Sequence, residues 1–388
     1  MSFLDEIAKY DPAQIAETIA AQSAVDVERA LGATPLRLDN FLALLSPAAA
    51  PYLEAMAQRS HDLTVQRFGR TMQMYAPLYL SNECTNGCLY CGFNVHNQME
   101  RKTLTLDEMT AEAQVLHDRG FRHLLIVTGE APHIAGIDYL EAAIKRIRPL
   151  FSSLSIEIYP LDQAGYARLI AAGVDGLTIY QETYERSLYA QMHPFGKKRD
   201  YDWRLLAPER AASAGMRRIG VGSLLGLGDF RVEAFFTALH ALYLARHHWR
   251  THISVSFPRM RPADGGFQPL TVVSDRNFVQ LLCALRLLIP DAGLVLSTRE
   301  SATLRDHLLP LGITQMSAGS CTAPGGYATA DESGQQFAID DARTVDEVAA
   351  MIRKQGYEPV WKDWDVAFVG GGEPFKSDGL VGSDRSVG

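Results

Sequence analysis

The chain has 388 residues, 47% of them apolar and 21% charged, with a formal net charge of −8. That profile suits a globular protein with a sizeable core. The acidic balance argues against nonspecific nucleic-acid binding, and no apolar run reaches the length of a membrane span. The opening "MSFLDEIAKYDPAQ" is acidic and amphipathic, without a basic or apolar leader pattern, so it does not read as a signal peptide. The five cysteines are an odd number, and Cys283 and Cys321 stand alone. A disulfide framework is not expected; a reducing cytoplasm is.

In chain order, the first ~70 residues carry helical patterning, as in "AVDVERALG" and "RLDNFLALLSPAAAPYLEAMAQRSHDLTVQRFG". From residue 73 a unit repeats: a short apolar or β-branched run, a polar loop, then an amphipathic segment. The runs are "QMYAPLYL" (73–80), "RHLLIVTG" (122–129), "LSIEIYP" (154–160), "DGLTIYQE" (175–182), "RRIGVGSLLG" (217–226), "HISVSFP" (252–258), "GLVLSTRE" (293–300) and "GITQMSA" (312–318). Thr105 and Glu108 are spaced as a capping box at one helix start. Gly120, Gly173, Gly215 and Gly312 each stand between a helix and the next strand, where a left-handed residue ends a helix.

Strand, helix, glycine, strand implies parallel strands with right-handed crossovers. Eight units suggest an α/β (β/α)8 TIM-type barrel; an open doubly wound sheet is the alternative, because periodicity does not report closure. The expected organisation is an N-terminal helical extension over 1–72, the barrel over 73–328 and a C-terminal appendage over 329–388. The appendage carries a helix near 344–355 and the aromatic tail "PVWKDWD". Polar residues gather at the C-terminal ends of the strands, among them Glu130, Glu157, Tyr180, Glu182, Arg259, Arg299, Glu300 and Ser317. In a barrel that face carries the active site.

The loop after the first strand, "SNECTNGCLYCGFN", holds Cys84, Cys88 and Cys91 as C-x3-C-x2-C. Three readings fit three thiols at this spacing. A structural zinc site would need a fourth ligand, such as His96 or His133, and no second CxxC exists. Incidental thiols are at odds with a polar Gly/Asn loop. An iron–sulfur cluster held by three thiolates keeps one iron free for a small molecule, which suits catalysis.

With Tyr90 before its last cysteine, the loop resembles that of the radical S-adenosylmethionine superfamily. The resemblance implies a [4Fe-4S] cluster on Cys84, Cys88 and Cys91, whose open iron chelates S-adenosyl-L-methionine and cleaves it to a 5′-deoxyadenosyl radical. "TGE" (Thr128, Gly129, Glu130) is similar to the family's Gly-Gly-Glu motif, which holds the cofactor's ammonium; the plain alternative is a turn with a solvated glutamate. "GVGSLLGLGD" is similar to the adenine-contacting strand, assigning Gly220 and Gly222 to backbone contacts; packing glycines are the alternative. Glu182 and Arg204 fit the acid and arginine that contact the cofactor, against a surface ion pair. Arg299 and Arg259 are the catalytic-site candidates for substrate contact, with a structural role as the alternative for each.

Together "PLYLSNECTNGCLYCGF", "LIVTGE", "YQETY", "SVSFPRMRP", "LSTRES", "PGGYA" and the "VWKDWD" tail resemble the aromatic amino-acid lyase branch, closest to the tyrosine lyases of thiamine thiazole biosynthesis. That resemblance runs from about residue 26 to 365. It implies cleavage of the Cα–Cβ bond of L-tyrosine to p-cresol and dehydroglycine, with Arg299 on the carboxylate. It also implies a one-electron donor such as flavodoxin or ferredoxin, and thiazole synthase as a partner. Trp361 and Trp364 are candidates for the partner surface, with core packing as the alternative. No nucleic-acid or membrane partner is expected. The sister hydrogenase-maturation lyases carry further C-terminal cysteines for a second cluster, and here none follows Cys321. A tryptophan lyase, and a zinc-stabilised scaffold without catalysis, remain open on the residues alone.

Overall fold

The fold is a computed structural model that describes residues 2–329 and 333–365. Eight parallel strands follow one another around a closed sheet: β1 (Thr71–Ser81), β2 (His123–Thr128), β3 (Ser153–Glu157), β4 (Gly176–Thr178), β5 (Arg218–Gly222), β6 (His252–Ser256), β7 (Gly293–Leu296) and β8 (Gln315–Ser317). β1 pairs with both β8 and β2, which closes the barrel and removes the open-sheet alternative. All eight expected runs contain a strand, most of them shorter than the run. The capping box at Thr105–Glu108 forms, and the four helix-ending glycines all have positive φ.

The N-terminal extension is helical from Phe3 to Phe68. Its helices Leu38–Leu45 and Leu53–Phe68 pack on the barrel helix Asp275–Leu288, so extension and barrel share one core. The fully buried Arg286 of that helix donates to the carbonyl oxygens of Pro290, Ala292 and Gly312 at 2.9, 2.7 and 2.7 Å. Its Nε has no partner among the described residues, so these three bonds are what offset the burial of the guanidinium.

The C-terminal segment does two things. A helix forms over Val345–Lys354, and β9 (Glu358–Val360), which the sequence reading did not contain, pairs parallel with the first residues of β1. Beyond β9, Trp361 stacks edge-on against Phe121, and the Asp363 carboxylate accepts from Gln73 and lies 3.8 Å from Arg218. Gln73 lies near the start of β1 and Arg218 opens β5, on opposite sides of the barrel, so the tail crosses the N-terminal end of the barrel. Earlier in the segment, Gln336 and Phe337 reach the other end, described next.

Candidate active site

The cysteine loop leaves β1 and is tied down along its length. At its base Leu104 N–H donates to Leu80 and Asn82 N–H donates to Lys102, at 2.9 and 3.1 Å. Arg101 then donates to the carbonyl oxygens of Asn82, Phe93 and Asn94 at 2.7, 3.1 and 2.7 Å. Farther out, Gly87, Leu89 and Gly92 donate their N–H groups to Phe195, Met192 and Gln336. Loop backbone that finds this many fixed partners is ordered by the barrel. Below it Tyr79, Phe93 and Val127 form a buried apolar floor against Cys84 and Cys91.

Glu130 clamps the loop from β2. Its carbonyl accepts from both Thr85 N–H and Thr85 Oγ1 at 2.9 Å, and its carboxylate accepts from Asn86 Nδ2 at 2.7 Å. Asn86 Nδ2 also lies 3.8 Å from Cys84 Sγ. A Cβ added at Gly129 would stand 2.3 Å from the Glu83 carbonyl and 3.1 Å from Cys84 Cβ, so only glycine lets β2 end this close to the loop. Thr128 Oγ1 is buried with no hydrogen-bond partner among the described residues.

On the opposite side Tyr90 is held by His193. His193 Nδ1 lies 2.8 Å from the Tyr189 carbonyl, which can only accept, so Nδ1 carries the proton. His193 Nε2 therefore accepts from Tyr90 O–H at 2.7 Å. Burial, reinforced by Lys198, pushes the His193 pKa down to about 3, which keeps this ring neutral. Burial likewise pushes the Cys88 thiol up to about 12 and raises Cys91.

Glu182 ends the β4 run and faces the loop. Its carboxylate lies 2.6 Å from Lys198 Nζ and 3.5 Å from Arg204 Nη2. Burial alone would raise its pKa, but Lys198 and Arg204 outweigh burial and hold it below the ordinary carboxylate value. Arg204 Nε donates to the Tyr180 carbonyl at 2.7 Å, fixing the end of that strand.

Two cavities meet above the strands. The outer one is walled by Tyr90, Cys91, Glu182, Lys198, Leu224 and Gln336. The inner one is walled by Tyr75, Pro77, Tyr79, Leu125 and Val127, with the hydroxyls of Ser256, Ser317 and Thr322. Glu157, Tyr180, Pro258, Arg299 and Phe337 border both. The Arg299 guanidinium lies over the Phe337 ring, 3.4 Å from its centroid.

Of the residues expected from the sequence, the structure brings together Cys84, Cys88, Cys91, Thr128, Gly129, Glu130, Glu182, Arg204 and Arg299 around this mouth. Arg259 and Gly220 lie apart from it. Arg259 Nε lies 3.0 and 2.9 Å from the two Glu300 oxygens, and Nη1 lies 2.7 Å from Asp275; the side chain borders neither cavity. Gly220 lines a lower chamber inside the barrel with His123, Arg218 and Gln315. A Cβ at Gly222 would strike the Ser256 carbonyl at 2.0 Å and stand 2.9 Å from Tyr180 Cδ1, so only glycine lets β5 pass this close to a wall of both cavities. Leu224, two residues on, is what the β5 loop sends to the outer cavity. Sequence reading missed Lys198, Gln336 and Phe337, and named Glu157 only as one of many polar strand ends.

The donor set can be tested for what it fits. Among the described residues, no three His, Cys, Asp or Glu side chains, the three thiols included, converge as for a single metal ion. Three thiols on one ordered loop, an apolar floor, an unpartnered Thr128 hydroxyl and a glycine-tight rim suit a cluster with a ligand beside it.

Comparison with known proteins decides the matter. Residues 78–236 match the radical SAM superfamily model, and residues 256–358 match the biotin and thiamin synthesis associated domain. The 2-iminoacetate synthase of Salmonella typhimurium is 49% identical over 348 residues, covering 89% of this chain and 92% of that protein. That of Escherichia coli is 47% identical over 365 residues, covering 94% and 97%. This chain belongs to the 2-iminoacetate synthase family.

The family's group is a [4Fe-4S] cluster used with S-adenosyl-L-methionine, and the donor set above fits it. Among solved structures, the FeFe-hydrogenase maturase HydG from Carboxydothermus hydrogenoformans is 32% identical, with a TM-score of 0.81, covering 90% of this chain and 80% of that one. Methylornithine synthase, 20% identical with a TM-score of 0.69, shares the fold. Among the described residues no helix is long and apolar enough to cross a membrane.

Proposed function

We propose that this 2-iminoacetate synthase family member is a tyrosine lyase, cleaving the Cα–Cβ bond of L-tyrosine to dehydroglycine and p-cresol for the thiazole of thiamine. The observation that carries this reading is the position of Arg299 on the border between two cavities of different chemistry. One holds the cysteine loop and a charged wall; the other is aromatic and apolar, with hydroxyls that can meet a phenol.

When bound, the cluster and S-adenosylmethionine supply an adenosyl radical able to take a hydrogen atom from a strong bond. The chain's residues do the rest. Cys84, Cys88 and Cys91 hold the cluster; Thr128, Gly129, Glu130, Glu182 and Arg204 border the place for its ligand. Arg299 receives the tyrosine carboxylate on its planar fork, pinned by Phe337. The phenol ring enters the inner cavity among Tyr75, Tyr79 and Tyr180. Buried strand ends and the cysteine loop exclude water, which a reactive intermediate requires.

The deciding experiment is anaerobic incubation of the reconstituted, reduced enzyme with S-adenosylmethionine and tyrosine or tryptophan. We expect 5′-deoxyadenosine, p-cresol and glyoxylate from tyrosine; an indole product from tryptophan, with no p-cresol from tyrosine, overturns the assignment. Arg299→Lys keeps the charge but loses the fork. It should still cleave S-adenosylmethionine while p-cresol falls about 100-fold; full p-cresol yield refutes the role of Arg299.

The imine hydrolyses readily, so direct transfer to thiazole synthase is the fitting next step, with flavodoxin or ferredoxin as the one-electron donor and the cytoplasm as compartment. HydG, which this chain covers over 80% of its length, serves hydrogenase maturation. The 2-iminoacetate synthases, at 49% and 47% identity against 32% for HydG, favour the thiamine branch over it.

A further inference from the structure

Glu157 is the last residue of β3, and its carboxylate opens onto both cavities. Of the five residues that border both, two are charged, and they are of opposite sign: Glu157 and Arg299. Among the described residues Glu157 takes no hydrogen bond or ion pair, unlike Glu130, Glu182 and Glu300 around it. An α-amino acid carries a carboxylate and an ammonium on one carbon. Arg299 suits the first; the free carboxylate across the border suits the second.

We propose that Glu157 receives the α-ammonium group of the substrate and takes one proton from it, leaving a neutral amine. This rests on the tyrosine-lyase reading. In the step the N–H bond breaks with its electron pair left on nitrogen, and an O–H bond forms on the Glu157 carboxyl. No electron is gained or lost, and no further reactant is needed. Two charges become two neutral groups, which a desolvated cavity favours. The reaction profits because a neutral amine has the lone pair that can support a neighbouring bond cleavage, whereas an ammonium does not.

The electrostatics agree. Burial pushes the Glu157 pKa up to about 7, against the lowering pull of Arg299, Arg204 and Lys198 and with the raising push of Glu182. Tyr75, Tyr79 and Tyr180 share its cavity and are themselves pushed upward by burial, so they stay neutral beside it. Near neutral pH a fraction of Glu157 is ionised on arrival of substrate, and its raised pKa narrows the gap to that of an ammonium, which eases the transfer in a desolvated cavity.

The test uses the reconstituted full-length enzyme with two probes, tyrosine and its des-amino analogue 3-(4-hydroxyphenyl)propionate, by equilibrium dialysis and by p-cresol formation against pH. Wild type should prefer tyrosine by more than about tenfold, and its kcat/KM should rise as pH climbs through about 7. Glu157→Gln should bind the two probes within about threefold of each other, lose the acid limb of the profile, and make p-cresol about 100-fold more slowly. Glu157→Asp should restore the acid limb, whatever its rate; iron content and circular dichroism report whether each variant is folded and loaded. Retention by Glu157→Gln of both the wild-type preference and the acid limb overturns the proposal. A wild type that makes no p-cresol from tyrosine overturns the lyase reading instead, and that failure appears before any variant is made.

Discussion

Glu182 is the one non-glycine with positive φ among the described residues, at 72°. That conformation costs about 1–2 kcal/mol for a residue with a side chain, and strain of this kind gathers at working sites. Here it turns the carboxylate between Lys198 and Arg204 while the backbone carbonyl takes the Leu224 N–H at 2.8 Å. Glu182→Gln would leave two cations buried without their anion, so unfolding free energy should fall by about 3 kcal/mol, read from denaturant midpoints. The sign of its pH dependence follows from a folded-state pKa below the ordinary value of 4.5. The contribution is whole above that value and is lost as pH falls through the lowered one, so the gap between wild type and variant should close only in acid. At this scale the cysteines were legible, since three thiols in a polar loop have few other uses. Lys198 was not: "GKKRD" reads as a solvated turn until the chain folds it over Glu182. Arg259 failed for the reverse reason. Its partners Glu300 and Asp275 lie 41 and 16 positions away, and nothing local to "SFPRMRP" reveals that its fork is already filled.

At the scale of elements, the eight barrel strands were readable because each is apolar or β-branched and most follow a glycine or a helix end. β9 was not, being three residues that include a proline, "EPV". It matters for any truncation. Deleting residues 358–388 removes the β1–β9 pairing, uncovers Phe121 and takes Asp363 from Arg218. We expect such a chain to lose about 3 kcal/mol of stability, measured by denaturant unfolding; an unchanged midpoint would show that the tail adds nothing. A pull-down of thiazole synthase with that deletion would therefore mix folding with contact. Trp364→Ala is the cleaner probe of the surface, since this ring lies half-buried under Arg217, 4.0 Å from its guanidinium carbon. Glu300 and Asp341 show the same dependence on distant partners: Arg305 and Asp341 are fully buried against each other, and Arg305 also donates to Ser317 of β8. The appendage is thereby keyed to the eighth strand as well as the first.

For the whole molecule, closure was the inference that periodicity could not make and the pairing of β1 with β2 supplies. β1 is bonded to β8, β2 and β9, more neighbours than any other strand, and it is the strand from which the cysteine loop departs. The loop's own ties run to Glu130, to residues 192–195 and to Gln336. In small zinc-dependent folds the metal supplies the folding energy, and its removal unfolds the chain. Here the loop's ties to the barrel predict a socket that keeps its shape when empty. Chelation should bleach the protein while its far-UV circular dichroism stays native, and a collapse of that signal would show the opposite order of events. Oxygen damage would then rob this enzyme of its colour and turnover but leave its shape intact. Iron and sulfide returned under argon should reload it without any refolding.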